Sequence, residues 1–472
     1  DPDVIRVEDT YYMVSTTMHF MPGCEILQSF DLVHWEHVTY VYETLDHTDA
    51  QQLKSGQNIY GQGMWAASLR YHEGRFYICF VANDTRKTYL YTSEKIDGPW
   101  KKQLIEGFYH DGSLLFDEDG RNYIVYGNDE IWITELNEDL TAPKKDGLHR
   151  LLVSDHKNPE LGYEGSHIQK INGYYYIFLV HSLRDRWMRT EACFYSDSLE
   201  GEFTGGDVLC DDRGYCGQGV AQGGIVDTPD GKWYAMLFQD SGAVGRIPIL
   251  LPVTWKDHFP FFGQNGHVPE EIEVHSTRPG YIYQPLVGSD DFCNGLLPRW
   301  QFNHDPDPRY YHLDALQGTY TITTREVCTE LTQAVNTLTQ RMSYPSCAAE
   351  VTVDASALKE GDVAGLCALQ GCYAAVGITK HHGKYEVLML DKKEDGILDM
   401  TEGTVVESHQ MDFRLEADFC NMKDEARCYY RVNKGDWLPI GTVHKLYFKL
   451  DHFTGCRFGL FCYAAEETGG SA

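Results

Sequence analysis

Residues 163–178, YEGSHIQKINGYYYIF, contain the clearest short-range fold signal in the chain. Apolar, β-branched and aromatic residues flank Asn172-Gly173, the dipeptide that favours the two-residue turn of a β-hairpin. The hairpin places Glu164 at a strand end or loop, beside Tyr163 and close to apolar strands. Partial desolvation there favours the neutral form of its carboxyl group, which suits a proton donor, although most glutamates are simply solvated.

The same arrangement of a polar turn and aromatic strand residues occurs five times. The copies follow one another at intervals of about 45 to 65 residues, the period range of β-propeller blades. Short alternating strands accompany the turns. We therefore predict a five-bladed β-propeller of antiparallel sheets around a central channel. The five turns are EDTYY (8–12), EGRFY (73–77), DGRNY (119–123), NGYYY (172–176) and DGKWY (230–234).

The pattern changes after Val253, where a long irregular passage rich in Pro, Gly and His begins. From Asp290 onward, short strands joined by turns indicate a β-sandwich. Helical periodicity is scarce, so the whole chain is predicted to be all-β. A chain of 472 residues also exceeds what one hydrophobic core usually supports. We predict a propeller domain over 1–286 and a sandwich domain over 287–472.

The composition restricts the class of partner and the compartment. Forty Lys and Arg against seventy Asp and Glu give a formal charge of −30, which disfavours nucleic acid and anionic membranes. Fourteen cysteines show no CxxC pair, which favours reduced thiols and a cytoplasmic protein, while spacing alone leaves zinc open. The chain begins with Asp1, so a removed targeting peptide also stays open. The sequence does not indicate an oligomeric state.

Two aspartates share a context with Glu164, because each precedes a strand predicted to be the innermost of its blade. Asp1 opens DPDVI (1–5), and Asp111 lies in HDGSLLF (110–116). Innermost strands of a propeller converge on one mouth of the channel, so three carboxyl groups would face one another. Glycosidic cleavage needs such a set: an acid, a base and a nearby charge that tunes the acid. For either aspartate alone, turn capping is the commoner explanation.

These segments resemble glycoside hydrolase family 43 over nearly the whole chain. DPDVI (1–5) is similar to the family's base motif, HDGSL (110–114) to its pKa-modulator motif and EGSH (164–167) to its general-acid motif. The resemblance implies Asp1 as general base, Asp111 as pKa modulator and Glu164 as general acid. It departs from the usual pattern at Gly112 and Ser166, where the family commonly has proline.

The family inverts anomeric configuration, so the resemblance implies one displacement by water. The base and acid carboxyl groups are then expected roughly 6.5–9.5 Å apart. The resemblance also implies that no cofactor is required and that the site contains no metal. A structural calcium ion is left open near Gln222, although an amide oxygen is a weak ligand compared with a carboxylate.

Further resemblances point to residues that contact the sugar. The segment 17–23, with His19 and Phe20, and the segment 63–66, with Trp65, are similar to pocket-lining parts of the family. Blade core is an equally good explanation for both aromatic residues. Arg246 corresponds to an arginine that reaches the substrate, with a surface salt bridge as the alternative. Gln222 corresponds to a position near the channel axis.

The second domain resembles the concanavalin A-like jelly roll attached to xylosidase and arabinofuranosidase members of the family. In such enzymes a loop of the sandwich closes one side of the pocket. The resemblance implies an exo-acting hydrolase that removes terminal L-arabinofuranose or D-xylose from hemicellulose oligosaccharides. The alternatives are a catalytically silent carbohydrate-binding propeller, which would retain the fold without turnover, and a protein-interaction scaffold, which would lack the pocket acids.

Overall fold

The computed structural model describes residues 1–401 and 403–472. Within them the chain consists of β-strands and loops, with four short 3-10 helices and no α-helix. None of the helices in these residues has the length and apolar character needed to cross a membrane. The 3-10 helices are Lys54–Gly56, Gly242–Val244, Leu331–Gln333 and Cys420–Met422.

The propeller part contains five four-stranded antiparallel sheets, which we number 1 to 5 in chain order. Each of the five turn motifs connects the first and second strands of one sheet, because its polar residues leave the hydrogen-bonded ladder there. The strands are Asp3–Val7, Thr10–Val14, Gly23–Ser29 and Glu36–Tyr42 in sheet 1; Met64–His72, Arg75–Ala82, Lys87–Ser93 and Lys101–Ile105 in sheet 2; Ser113–Phe116, Asn122–Asn128, Glu130–Leu136 and His149–Ser154 in sheet 3; Glu164–Ile171, Tyr174–Ser182, Arg189–Ser196 and Thr204–Leu209 in sheet 4; and Ala221–Asp227, Trp233–Asp240, Arg246–Lys256 and Phe259–Phe262 in sheet 5.

The first strands of the five sheets lie side by side and close a ring, sheet 5 against sheet 1. They enclose the central channel. Their N-terminal ends surround one opening, which we call the upper mouth and which holds the three predicted carboxyl groups. Their C-terminal ends surround the lower mouth, a cavity of about 450 Å³ lined by residues such as Arg6, Tyr71, Phe116 and Lys170. Apolar clusters fill the space between neighbouring sheets.

The sandwich part consists of two facing antiparallel sheets with an apolar core between them. The larger sheet has nine strands and the smaller has four. The larger contains Phe20–Met21, Gln301–Asn303, Leu338–Arg341, Arg457–Tyr463, Val363–Leu369, Ala374–His381, Lys384–Lys392, Leu398–Met400 and Thr404–Val406; the smaller contains Ser346–Asp354, Gln410–Asp418, Glu425–Arg431 and Leu438–Lys445; and Tyr311–Asp314 pairs separately with Thr319–Ile322. The predicted all-β fold, a propeller followed by a sandwich, is confirmed.

The propeller and the sandwich share backbone hydrogen bonds. The short strand Phe20–Met21, from the loop within sheet 1, pairs with Gln301–Asn303 and so joins the larger sheet of the sandwich. The irregular passage between the two parts packs along sheet 1, where Tyr283 Oη accepts a hydrogen bond from the backbone N–H of Phe30 (2.8 Å) and Arg278 pairs with Asp9. The boundary at residue 286 stays a prediction.

Candidate active site at the upper mouth

The upper mouth brings acidic side chains from two neighbouring sheets together. Asp111 precedes the first strand of sheet 3, and Glu164 begins the first strand of sheet 4. The imidazole of His110 lies between them, with Nε2 3.7 Å from Asp111 Oδ2 and 3.5 Å from Glu164 Oε2. The sequence-based prediction that these carboxyl groups converge therefore agrees with the geometry of this pair.

Asp1 occupies a separate position in the mouth, ahead of the first strand of sheet 1. Its side chain is only 5% exposed. Thr16 Oγ1 donates a hydrogen bond to Oδ2 (2.6 Å), and the guanidinium of Arg246 pairs with Oδ1. A buried carboxyl group with a hydroxyl donor on one oxygen and a cation on the other is stabilised in its ionised form. Ionised Asp1 can accept a proton.

Asp111 is held in an environment that opposes its ionisation. Burial raises the pKa of its carboxyl group; His110 lowers it, the charge of Glu164 raises it, and the net shift is upward. The converse holds for the imidazole: the carboxylate of Asp111 outweighs burial and, with Glu164, raises the pKa of His110 to about 9. His110 is therefore protonated at neutral pH, and its ring lies between the two carboxyl groups.

A β-bulge sets the direction of Glu164. The register between the first two strands of sheet 4 shifts between Glu164 and His167. Gly165 lies in this bulge at φ 67°, where a Cβ atom would also approach the side chain of Gln222 to 2.6 Å. Only glycine fits there without strain. Asn128 Nδ2 donates to Glu164 Oε2 (2.7 Å), and the side chain remains 19% exposed, so a substrate can reach it.

Arg246 is largely enclosed in the mouth, with 12% of its side chain exposed, and does not form a surface salt bridge. Its guanidinium lies between the rings of Phe238 and Phe453, 4.4 and 4.2 Å from their centroids. The guanidinium pairs with Asp1, and its Nε also donates to Oδ1 of Asp240 (3.2 Å). Burial lowers the pKa of Arg246 to about 10, which leaves it charged at neutral pH.

Phe453 belongs to the sandwich and closes one side of the mouth. Its ring also meets Trp65 of sheet 2 edge-on, with centroids 5.5 Å apart. The neighbouring Thr454 contacts Met18 of sheet 1 through Oγ1 and Sδ (3.5 Å). The loop 450–456, which we call the capping loop, therefore covers the sector between sheets 2 and 5, above sheet 1. Behind this sector a cavity of about 670 Å³ adjoins Asp1 and Arg246 but not Asp111 or Glu164.

A charged network inside the channel supports the mouth from below. Arg70 pairs with Asp3 (2.7 Å) and donates to Ser113 Oγ (2.7 Å) and to the carbonyl oxygen of Ile168 (3.2 Å). His167 lies 3.2 Å from the other oxygen of Asp3. Burial opposes ionisation of Asp3, but Arg70 and His167 outweigh it and lower the pKa to about 2. The network ties together the inner strands of sheets 1 to 4.

The structure corrects the predicted roles of His19 and Phe20. Both side chains have no exposed surface, so neither lines the sugar pocket. The reason is the strand Phe20–Met21, which pairs with the sandwich and draws this segment into the domain interface. There Phe20 lies under the guanidinium of Arg457 (3.6 Å), and His19 packs against His304 and Tyr60.

Gln222 is buried beside the bulge of Gly165 and does not form a good calcium site. Its backbone N–H donates to Glu191 Oε2 (2.7 Å), and its side chain packs on Gly165. Burial raises the pKa of Glu191 and so favours the neutral form of this carboxyl group. Calcium requires six to eight oxygen ligands, typically with ionised carboxylates. The contacts described for Gln222 provide one carboxyl group, Glu191, whose ionisation burial opposes, so they fit calcium poorly.

Sequence reasoning missed several residues of the mouth. His110 stands next to Asp111, but its sequence context alone does not show that it also approaches Glu164. Asn128 lies at the end of a strand without a motif. Phe453 comes from the other domain, and no local pattern marks it. Among these three residues, the sequence offers a signal only for His110, which is adjacent to a predicted acid.

Models of known protein families match both the propeller and the sandwich part of the chain. The model of glycosyl hydrolases family 43 matches residues 1–260. The chain belongs to this family. A second model, the beta-xylosidase C-terminal concanavalin A-like domain, matches residues 289–472. This family 43 member is therefore a glycosidase with a concanavalin A-like domain behind its propeller.

Individual relatives are similar over most of the family 43 chain. A beta-xylosidase of Formosa agariphila is 26% identical, covering 100% of this chain and 86% of the relative. A non-reducing end alpha-L-arabinofuranosidase of Bacteroides ovatus is 25% identical, covering 67% and 62%. Among solved structures, a bifunctional GH43-CE protein of Bacteroides eggerthii has a TM-score of 0.92 and 41% identity, and the present chain spans 61% of its length. An engineered GH43 enzyme with endo-xylanase and exo-arabinofuranosidase activity has a TM-score of 0.86 and 27% identity.

Proposed function

We propose that this glycosidase is an exo-acting, inverting enzyme that releases terminal L-arabinofuranose or D-xylose from hemicellulose fragments. The observation that carries the proposal is the division of the mouth into two environments. Asp1 is paired with Arg246 and Thr16 as a carboxylate. Glu164 instead lies beside the imidazole of His110, which also approaches Asp111. Carboxyl groups with separated proton affinities are what an acid–base pair needs.

In the proposed reaction, Asp1 removes a proton from a water molecule, and the resulting hydroxyl oxygen bonds to the anomeric carbon. The bond from that carbon to the glycosidic oxygen breaks, and Glu164 transfers its proton to the departing oxygen. Asp111 and His110 set the protonation of Glu164. Asp1 then releases its extra proton to bulk water and Glu164 takes one up, which restores the starting state of both groups.

The exo mode rests on the capping loop. Phe453 packs against both Trp65 and Arg246, so the sector above sheet 1 is covered. A sugar chain that continued past the site in that direction would meet these rings. The pocket thus accepts a chain end, with Trp65, Arg246 and Phe453 as its proposed sugar-contacting residues.

The test is hydrolysis of nitrophenyl α-L-arabinofuranoside and nitrophenyl β-D-xyloside in parallel, with the Asp1→Asn variant as control. We expect turnover of at least one glycoside, strongly reduced in the variant, and the ratio of kcat/KM values identifies the preferred sugar. The first product of β-xyloside cleavage should be the α-anomer by NMR. Binding of xylo-oligosaccharides without any turnover would instead establish a silent carbohydrate-binding propeller.

A further inference from the structure

The loop between the second and third strands of sheet 4, residues 183–188, leaves the sheet at the end that carries the proposed acid. Glu164 pairs with Val180 in the ladder, and Ser182 pairs with Arg189, which closes the loop. The loop therefore projects from the same end of sheet 4 as Glu164. It is internally held, because Leu183 N donates to the Met188 carbonyl oxygen (3.1 Å).

Trp187 is the large aromatic residue that this loop exposes. Its side chain lies over the guanidinium of Arg189, whose Cζ is 5.1 Å from the ring centroid, and the residue is 43% exposed. Arg189 itself is buried and pairs with Asp240. Asp240 binds Arg246, which binds Asp1. A continuous chain of contacts thus connects an exposed indole at the rim to the proposed catalytic base.

The direction in which a substrate can leave the pocket points to the same rim. The capping loop covers the sector between sheets 2 and 5, where Phe453 contacts Trp65 and Arg246. Sheets 3 and 4 carry Asp111 and Glu164 and face the opposite sector. The glycosidic oxygen must lie next to Glu164 to receive its proton. The part of the substrate beyond that oxygen therefore extends over the sheet-3 and sheet-4 side.

We propose that Trp187 forms the leaving-group subsite, where the sugar unit that follows the scissile bond stacks on the exposed indole face. This inference rests on the proposed function. The apolar C–H face of a pyranose covers an aromatic ring well, and the buried cation beneath the indole fixes the ring in place. Contacts remote from the reacting atoms lower the barrier when they orient the substrate in the transition state.

Phe108 is the competing platform at this rim. It stacks with Arg86, whose Cζ is 3.9 Å from the ring centroid, and it lies two residues before His110. Two observations favour Trp187. Trp187 lies on the same sheet as Glu164, and it exposes more of its surface, since Phe108 is only partly exposed.

The experiment compares an oligosaccharide with a glycosyl fluoride of the same terminal sugar, since fluoride occupies no sugar subsite. For wild-type protein and the Trp187→Ala and Phe108→Ala variants, we measure kcat/KM on xylobiose or an arabinoxylo-oligosaccharide and divide it by kcat/KM on the fluoride. We expect Trp187→Ala to lower this ratio by about tenfold or more, because stacking area is lost only for the oligosaccharide. Tyr71→Ala, at the lower mouth and 45% exposed, is the matched control and should keep the wild-type ratio.

The outcomes are distinct. A Trp187→Ala ratio equal to that of wild type overturns the subsite, as does a loss confined to Phe108→Ala. A structural role for Trp187 would lower both activities equally and leave the ratio unchanged, which also overturns it. If wild-type protein hydrolyses neither substrate, the proposed function itself fails.

Discussion

At the scale of single residues, the site depends on how protons are divided among neighbouring groups. His110 is decisive because its imidazole lies between Asp111 and Glu164 and its pKa is raised to about 9. It is therefore a cation across neutral pH. A cation at this distance favours the ionised form of Asp111 and so opposes the burial that raises the pKa of its carboxyl group.

Replacing His110 with glutamine should move the alkaline limb of the pH–kcat profile to higher pH. Without the imidazolium, Asp111 loses the cation that lowers the pKa of its carboxyl group, so this group keeps its proton to higher pH, by roughly one pH unit. The profile is measured from about pH 4 to 10 on a nitrophenyl glycoside. His72→Gln, at the lower mouth where His72 stacks on Phe116, is the control. A limb that stays in place or moves to lower pH contradicts this role of His110.

At the scale of structural elements, the capping loop completes the pocket. Gly455 adopts φ 102°, and a Cβ atom there would overlap the carbonyl oxygen of Val244 in the propeller. The next residue, Cys456, donates its backbone N–H to the Ala243 carbonyl oxygen (2.8 Å). The close approach of two backbones therefore fixes Phe453 over Arg246.

Gly455→Ala should displace the capping loop and lower kcat/KM by about tenfold or more, because Phe453 no longer orients Arg246 and Trp65. Gly383→Ala is a matched control, since Gly383 also has a positive φ of 72° but has open space where its Cβ would lie. Steady-state kinetics and melting temperature are measured for both variants. Equal activity losses in the two proteins would show that backbone strain, and not the loop contact, is responsible.

The sequence predicted those elements whose signal is local. Turn motifs located the hairpin of every propeller sheet, and residues before the inner strands located Asp1, Asp111 and Glu164. The sequence did not predict the placement of His19 and Phe20, because a strand of two residues carries no periodicity and its partner is about 280 residues away. Phe453 was missed for the same physical reason: its contacts form only after the two domains have packed together.

At the scale of the whole molecule, propeller and sandwich form one structural unit. The strand Phe20–Met21 belongs to the sandwich sheet, and its flanking residues belong to sheet 1. Buried side chains from both parts meet there, including His19, His304 and His452. Separating the domains would expose these apolar and polar groups together and break backbone hydrogen bonds.

We therefore expect thermal unfolding in a single cooperative transition. Differential scanning calorimetry tests this directly, together with the temperature at which glycosidase activity is lost. Activity loss should coincide with the transition, because the pocket needs Phe453 from the sandwich. Two resolved transitions, with activity lost at either one alone, would show that the domains are independent.

The central claim is that Glu164 donates a proton to the leaving oxygen and Asp1 activates water. The most direct test compares substrates with different leaving groups. Fluoride departs without being protonated, whereas the oxygen of a departing sugar needs a proton from the acid. Glu164→Gln should retain most hydrolysis of a glycosyl fluoride and lose nearly all hydrolysis of an oligosaccharide. Asp1→Asn should lose both. Equal losses on both substrates in Glu164→Gln, or retained fluoride hydrolysis in Asp1→Asn, would contradict these roles.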